Sequence, residues 1–121
     1  MSTPDPKTIE NFLRLQYQLW SEGKFEEMLG EFRKIAPNGL TIEYVGKPPR
    51  DGWQELDDMW RDYGNKCPTE VVLLLVNGNE AATHILNHLQ TDNGVITMPS
   101  LETYKFENGT LQVRYFHQAP H

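Results

Sequence analysis

The sequence predicts an α+β fold: a cone-shaped, curled antiparallel sheet, built from a four-strand meander plus a short strand pair and covered by three N-terminal helices. Two observations carry this prediction. Apolar residues recur at helical spacing through the first half of the chain, and the second half switches to runs separated by Asn-Gly pairs. The two middle runs are also long, and long strands in a small sheet twist and curl into a concave face that amphipathic helices can cover.

In chain order, Ile9, Phe12, Leu13, Gln16 and Trp20 form the first helical stripe, flanked by Tyr17 and Leu19, and Gly23 ends it. Phe25, Met28, Leu29, Phe32 and Ile35 form the second, which stops near Pro37-Asn38-Gly39. A strand follows in Leu40-Thr41-Ile42-Glu43-Tyr44-Val45. Asp51 followed three residues later by Gln54 resembles a capping box and opens a third helix with the stripe Trp53, Leu56, Met59, Trp60 and Tyr63, ended by Gly64. Asn77-Gly78, Asn93-Gly94 and Asn108-Gly109 then divide four strands, near Thr69 to Val76, Ala81 to Thr91, Val95 to Phe106 and Leu111 to Gln118.

The chain has 121 residues, read as one domain spanning 1–121, with 38% apolar residues, three Trp, five Tyr and five Phe. A net charge of -6 opposes binding to phosphate backbones and anionic lipid, so neither nucleic acid nor a membrane is an expected partner. Cys67 is the only cysteine and no secretion-signal pattern precedes Lys7, so a cytoplasmic setting is expected.

Two glutamates on strand-like segments suggest an acid/base pair. Alternation puts Glu102 on the side of Tyr104 and Phe106, and an ionised carboxyl among aromatics is costly unless it is paired or holds a proton. Glu43 opposes the apolar set Leu40, Ile42 and Tyr44, so alternation alone puts it on a solvated face. Arg114, Phe116 and Gln118 alternate with Val113 and Tyr115, and alignment from Gly109 turns the first set inward, where Arg114 can pair with either glutamate. His84 and His88 stand about 13 Å apart on a strand, too far for a shared metal, and no metal site is expected. His88 faces the cavity when its strand is aligned from Asn93-Gly94, and the outer sheet face in the alternative phase.

The segments Leu19 to Phe25, Glu43 to Gly52 and Leu101 to Gly109, in this order, resemble the nuclear transport factor 2-like superfamily, in particular its SnoaL-like and ketosteroid-isomerase branch. The resemblance extends over nearly the whole chain. It implies that Glu43 is a general base and that a protonated Glu102 donates a hydrogen bond to a developing enolate, the arrangement known for that family. Its tyrosine donor on the first helix falls at Gln16, with Tyr17 pointing about 100° away on the helix. Trp60 matches a pocket aromatic, and Trp20 helps to close the cone.

The expected function is binding of a small hydrophobic carbonyl compound, with isomerisation, cyclisation or dehydration by carboxylate chemistry and no cofactor. Glu43 and Glu102 are the expected catalytic residues. Gln16, Trp20, Trp60, His88, Tyr104, Arg114 and Phe116 are the expected substrate contacts. The resemblance also implies a homodimer through the outer sheet face. The competing expectation is a non-catalytic ligand-binding or dimerisation module of the same fold.

Overall fold

The computed structural model describes residues 3–118. Helix α1 (Pro6–Ser21) leads into α2 (Phe25–Ile35), β1 (Gly39–Tyr44), β2 (Arg50–Asp51) and α3 (Gly52–Tyr63). The meander follows as β3 (Thr69–Asn77), β4 (Glu80–Thr91), β5 (Gly94–Glu107) and β6 (Thr110–Phe116). All strands join one curled, unclosed sheet in the order β2-β1-β6-β5-β4-β3, with β1 parallel to β6 and the other pairs antiparallel. This is the expected cone; the meander strands extend one residue further at several ends, and the last strand stops at Phe116, two residues before Gln118.

Local chemistry explains the element ends. Asp5 caps α1 by accepting from the Thr8 amide at 2.8 Å, with Pro6 at the first helical position. Gly23 has φ 78°, the left-handed conformation that a glycine after a helix supplies. Asp51 accepts from the Gln54 amide at 3.2 Å, so the predicted cap starts α3. At Asn108-Gly109 both turn residues have positive φ, 50° and 78°, and this two-residue hairpin turn sets the β5–β6 register by pairing Glu107 with Thr110.

Packing of the helical stripes on the concave face makes the core. Ile9, Leu13, Met28, Phe32, Leu56 and Phe106 are each no more than 2% exposed. Phe12 joins helices to sheet by edge contacts with Phe32 and Phe106 at ring-centre distances of 5.0 and 6.1 Å. Two departures from the sequence expectation occur on α3. Tyr63 is 46% exposed, while Glu55, off the apolar stripe, is buried at 6%. Gly64 does not adopt a left-handed conformation; its lack of a side chain matters because a Cβ there would lie 2.4 Å from the Trp60 carbonyl oxygen.

Gly52 sets how closely α3 approaches β1. A Cβ at this position would meet Leu40 Cγ at 2.2 Å and the Leu40 carbonyl carbon at 2.9 Å. Gly52→Ala is therefore expected to destabilise the fold by about 1–3 kcal/mol, the usual cost of overpacking. Urea denaturation checks this, and an unchanged midpoint would show that α3 can move off the sheet without cost.

Candidate active site

The antiparallel register of β4, β5 and β6 places Glu102 between Thr83 and Tyr115 on the inner face of the sheet. Tyr104 and Phe106 share that face, as alternation predicts, and Glu102 is 7% exposed. Its carboxyl is held by hydroxyls. Tyr17 donates to Oε1 at 2.5 Å, Tyr104 donates to the same oxygen at 2.8 Å, and Ser100 donates to Oε2 at 3.1 Å. The Tyr17 oxygen also lies 2.8 Å from that of Tyr104 and 2.9 Å from Thr83 Oγ1. Ser100 is oriented in turn by the Asn87 side-chain amide, which donates to it at 3.1 Å.

Burial dominates the electrostatics. It pushes the Glu102 carboxyl above its ordinary value of 4.5, and the donated hydrogen bonds from Tyr17, Tyr104 and Ser100 oppose that push without cancelling it. The Tyr17, Tyr104 and Tyr115 phenols rise well above their ordinary range, first from burial and then from the charge of Glu102. Relative to an exposed carboxyl, burial thus shifts Glu102 toward its neutral form beside a neutral phenol, and neutral acids are groups that can donate hydrogen bonds where negative charge develops on an oxygen.

The helix phase corrects the donor position on α1. Tyr17, not Gln16, brings its side chain to Glu102. Gln16 is also buried, at 6%, and its Nε2 lacks a hydrogen-bond partner. Neighbouring residues both point inward because α1 is covered over a wide arc, including Ile9, Phe12, Leu13, Gln16, Tyr17 and Leu19.

Glu43 and Glu102 do not share a cavity. Glu43 pairs in register with Arg114, and the Arg114 guanidinium donates to its carboxylate at 3.2 and 3.4 Å. Arg114 lies outward because the inner positions of β6 are Leu111, Val113 and Tyr115, all buried. The expected inward set of Arg114, Phe116 and Gln118 is thus reversed for its two strand members: Phe116 is 37% exposed, with the guanidinium carbon of Arg114 5.1 Å from its ring centre. Apolar burial, rather than counting from Gly109, decides the phase. His88 also takes the outer-face alternative, with Nδ1 2.8 Å from Thr97 Oγ1 and Nε2 3.0 Å from Glu70 Oε1.

Trp20 and Trp60 do come together, edge to face at 5.4 Å, with Phe25 stacked on Trp60 at 5.0 Å. The Trp20 indole donates to the Cys67 carbonyl at 2.8 Å, which fixes the end of α1 against the loop before β3. A surface hollow of about 350 Å³ between α1 and β3 is lined in part by Arg14, Ser21, Thr69 and Val71 and reaches Tyr17. A larger hollow of about 500 Å³ is lined by Leu29, Arg33, Pro37, Trp53 and Asp57, none of which belongs to the group around Glu102.

The residues that sequence reasoning missed are Tyr17, Thr83, Ser100, Tyr44, Tyr115 and Glu55. Tyr44 and Tyr115 face each other across the β1–β6 pair at 5.2 Å, and His117 stacks on Tyr44 at 5.6 Å. Ser100 had a readable signal, since it lies two residues before Glu102 and so shares its face. Glu55 interrupts no apolar stripe, and its burial follows only from how α3 docks.

No family model matches the sequence, and no curated protein matches it. Solved structures do match in shape. The epoxide hydrolase/cyclase-like enzyme SalBIII, of pyran ring formation in the polyether salinomycin, superposes with a TM-score of 0.73 at 15% identity over 90% of this chain and 89% of its own. An NTF-2 like protein of unknown function from Burkholderia xenovorans LB400 gives 0.70 at 15% identity, covering 95% of this chain and 86% of its own. A putative polyketide cyclase from Xanthomonas campestris pv. campestris gives 0.65 at 12% identity, covering 95% and 93%. With three helices on a six-stranded, curled and unclosed sheet, the chain has the NTF2-like α+β cone fold.

Proposed function

We propose that this chain is a cofactor-independent isomerase or cyclase acting on a small hydrophobic carbonyl compound, with Tyr17 and a protonated Glu102 stabilising an enolate oxygen. The observation that carries this reading is the buried carboxyl held, among the described residues, only by hydroxyls, with no cation among its hydrogen-bond partners there. A structural carboxylate is ordinarily buried against an arginine or lysine. Here burial without a cation favours the neutral acid, against the hydroxyl hydrogen bonds that favour the anion, and a neutral acid can donate a hydrogen bond to an oxyanion. Because one fold hosts many functions, the activity is read from this site; a polyketide cyclase and an epoxide hydrolase/cyclase-like enzyme of the same shape are compatible with it. Gln16 adds a third donor through its unpartnered amide, and Trp20 and Trp60 supply apolar contact for the ligand. A cytoplasmic setting accords with the lone Cys67. No helix among the described residues is long and apolar enough to cross a membrane.

A second reading concerns assembly. Leu73, Leu101 and Phe116 lie on the outer sheet face, 53%, 56% and 37% exposed, and Leu101 pairs directly with Phe116. We propose a homodimer through this face, since paired exposed apolar side chains mark an interaction surface.

Three outcomes test these readings. Folded Glu102 keeps its proton where the unfolded chain, titrating near 4.5, has lost it. Its contribution to stability is therefore greatest below the unfolded value and is lost as pH rises through the folded one, by up to about 1.4 kcal/mol per pH unit. Denaturation of the wild type should show this decline relative to Glu102→Gln, and carboxyl-carbon NMR should place Glu102 above the ordinary value; a parallel pH dependence or an ordinary midpoint would remove the donor role. Tyr17→Phe should lower turnover of a β,γ-unsaturated ketone about 10²–10³-fold, as loss of one oxyanion donor does, and should move the Glu102 midpoint further up; unchanged turnover would exclude Tyr17. Leu101→Glu should convert a dimer to a monomer in sedimentation equilibrium without loss of fold, whereas a monomeric wild type would sink the dimer proposal.

A further inference from the structure

We propose that Glu55 is the proton-accepting carboxylate of this site, an inference that rests on the acid/base reading of Glu102 above. A glutamate in the first turn of a helix ordinarily stays in water, where it complements the helix dipole. Glu55 holds that position in α3 yet is 6% exposed, so its environment departs from the common one.

The surroundings of Glu55 are incomplete for a purely structural ion pair. Arg50 Nη1 lies 2.5 Å from Glu55 Oε2, with a half-exposed side chain, while its Nη2 is directed to Asp58 Oδ2 at 3.1 Å. The contact with Glu55 is close enough for an ion pair, but Oε2 has no hydrogen bond of proper direction. Among the described residues, the buried side-chain atoms left without a hydrogen-bond partner are this oxygen and Gln16 Nε2, one acceptor and one donor. Buried polar atoms are nearly always satisfied, whereas Glu55 Oε2 has the misaligned contact of a half-exposed Arg50 and Gln16 Nε2 has no hydrogen-bond partner.

Position connects Glu55 to Glu102. Glu102 is the register partner of Tyr115, and Tyr115 is the register partner of Tyr44 on β1, the strand against which Gly52 docks α3. Both carboxyls raise the Tyr44 and Tyr115 phenols, so the four groups form one electrostatic cluster. The two carboxyls have opposite environments within it: Glu102 meets hydroxyls and Glu55 meets a guanidinium. Such a contrast separates the roles of acid and base. Glu43, whose side chain pairs with Arg114 on the outer face, has no place in this cluster.

The step balances without a cofactor. The Glu55 carboxylate takes the proton from a carbon next to the ligand carbonyl, the C–H electron pair forms a carbon–carbon double bond, and the carbonyl π pair moves onto oxygen. Tyr17 and protonated Glu102 donate hydrogen bonds to that oxygen. Return of the proton to the α-carbon regenerates the ketone, and its delivery to the γ-carbon completes an isomerisation. The substrate class is a ketone with an acidic α C–H.

Deuterium incorporation into 3-cyclohexen-1-one in D2O, followed by proton NMR, tests the assignment. Glu55→Gln should slow exchange about 10²–10⁴-fold, the range for loss of a general base, with kcat falling and KM little changed. Glu43→Gln should stay within two-fold of wild type. If Glu102→Gln loses exchange while Glu55→Gln matches wild type, Glu55 is overturned and the proposed function stands. Absence of wild-type exchange above the solvent rate overturns both. Where Glu55→Gln does not fold, Glu55→Asp decides: a loss of ten-fold or more with an intact NMR spectrum supports the assignment, and wild-type exchange refutes it.

Discussion

Burial of one carboxyl among hydroxyls is the constraint on which the interior of this protein depends. Glu102 must enter the cone because its strand neighbours Tyr104 and Phe106 fill the core, and alternation offers no other face. Once inside, it needs hydrogen-bond partners, which come from two elements, Tyr17 on α1 and Ser100 and Tyr104 on its own strand β5, while Thr83 on β4 holds the Tyr17 hydroxyl. Those bonds tie the first helix to the centre of the sheet. Cost and proposed function meet at one point, because the low-dielectric setting that penalises charge on Glu102 is also what the proposed donor role requires.

The two faces of the sheet handle charge differently. On the outer face Glu43 and Arg114 form an ordinary exposed pair, and Glu70, His88 and Thr97 form another polar contact across β3, β4 and β5. Exposed contacts of this kind contribute little to stability, typically below about 1 kcal/mol each. On the inner face the polar groups are few, buried and hydrogen-bonded to one another. The rest of that face is aromatic and aliphatic, so each misplaced polar atom there would carry a large penalty. This asymmetry explains why a one-residue change of strand phase moves expected substrate contacts to the surface, where Arg114 pairs with Glu43 and lies over the exposed Phe116 ring.

Most of the fold was legible in the chain because its signals are local. The Asp51 cap, Gly23 and the three Asn-Gly pairs act within a few residues of themselves, so element boundaries could be read almost to the residue. The inward face of Glu102 was legible too, from its alternation with Tyr104 and Phe106. The phase of the last strand was not, since Arg114 and Phe116 alternate with Val113 and Tyr115 and both sets contain an aromatic. Gln16 and Tyr17 posed the same difficulty on a helix, where two adjacent residues can both be covered when packing surrounds a wide arc.

The sequence by itself determined the α+β cone, the order of its elements and a carboxyl on its inner face. Helical and alternating periods, caps and turns are short-range properties of a covalent chain. The tertiary structure alone decided which side chains meet that carboxyl: Tyr17 lies 85 residues from Glu102 and reaches it at 2.5 Å only after α1 packs across the sheet. It likewise separated Glu43 from Glu102 and buried Glu55, because a site is defined by contacts between distant segments. Those contacts depend on sheet register and helix docking, which are settled by burial of the whole core rather than by any local pattern.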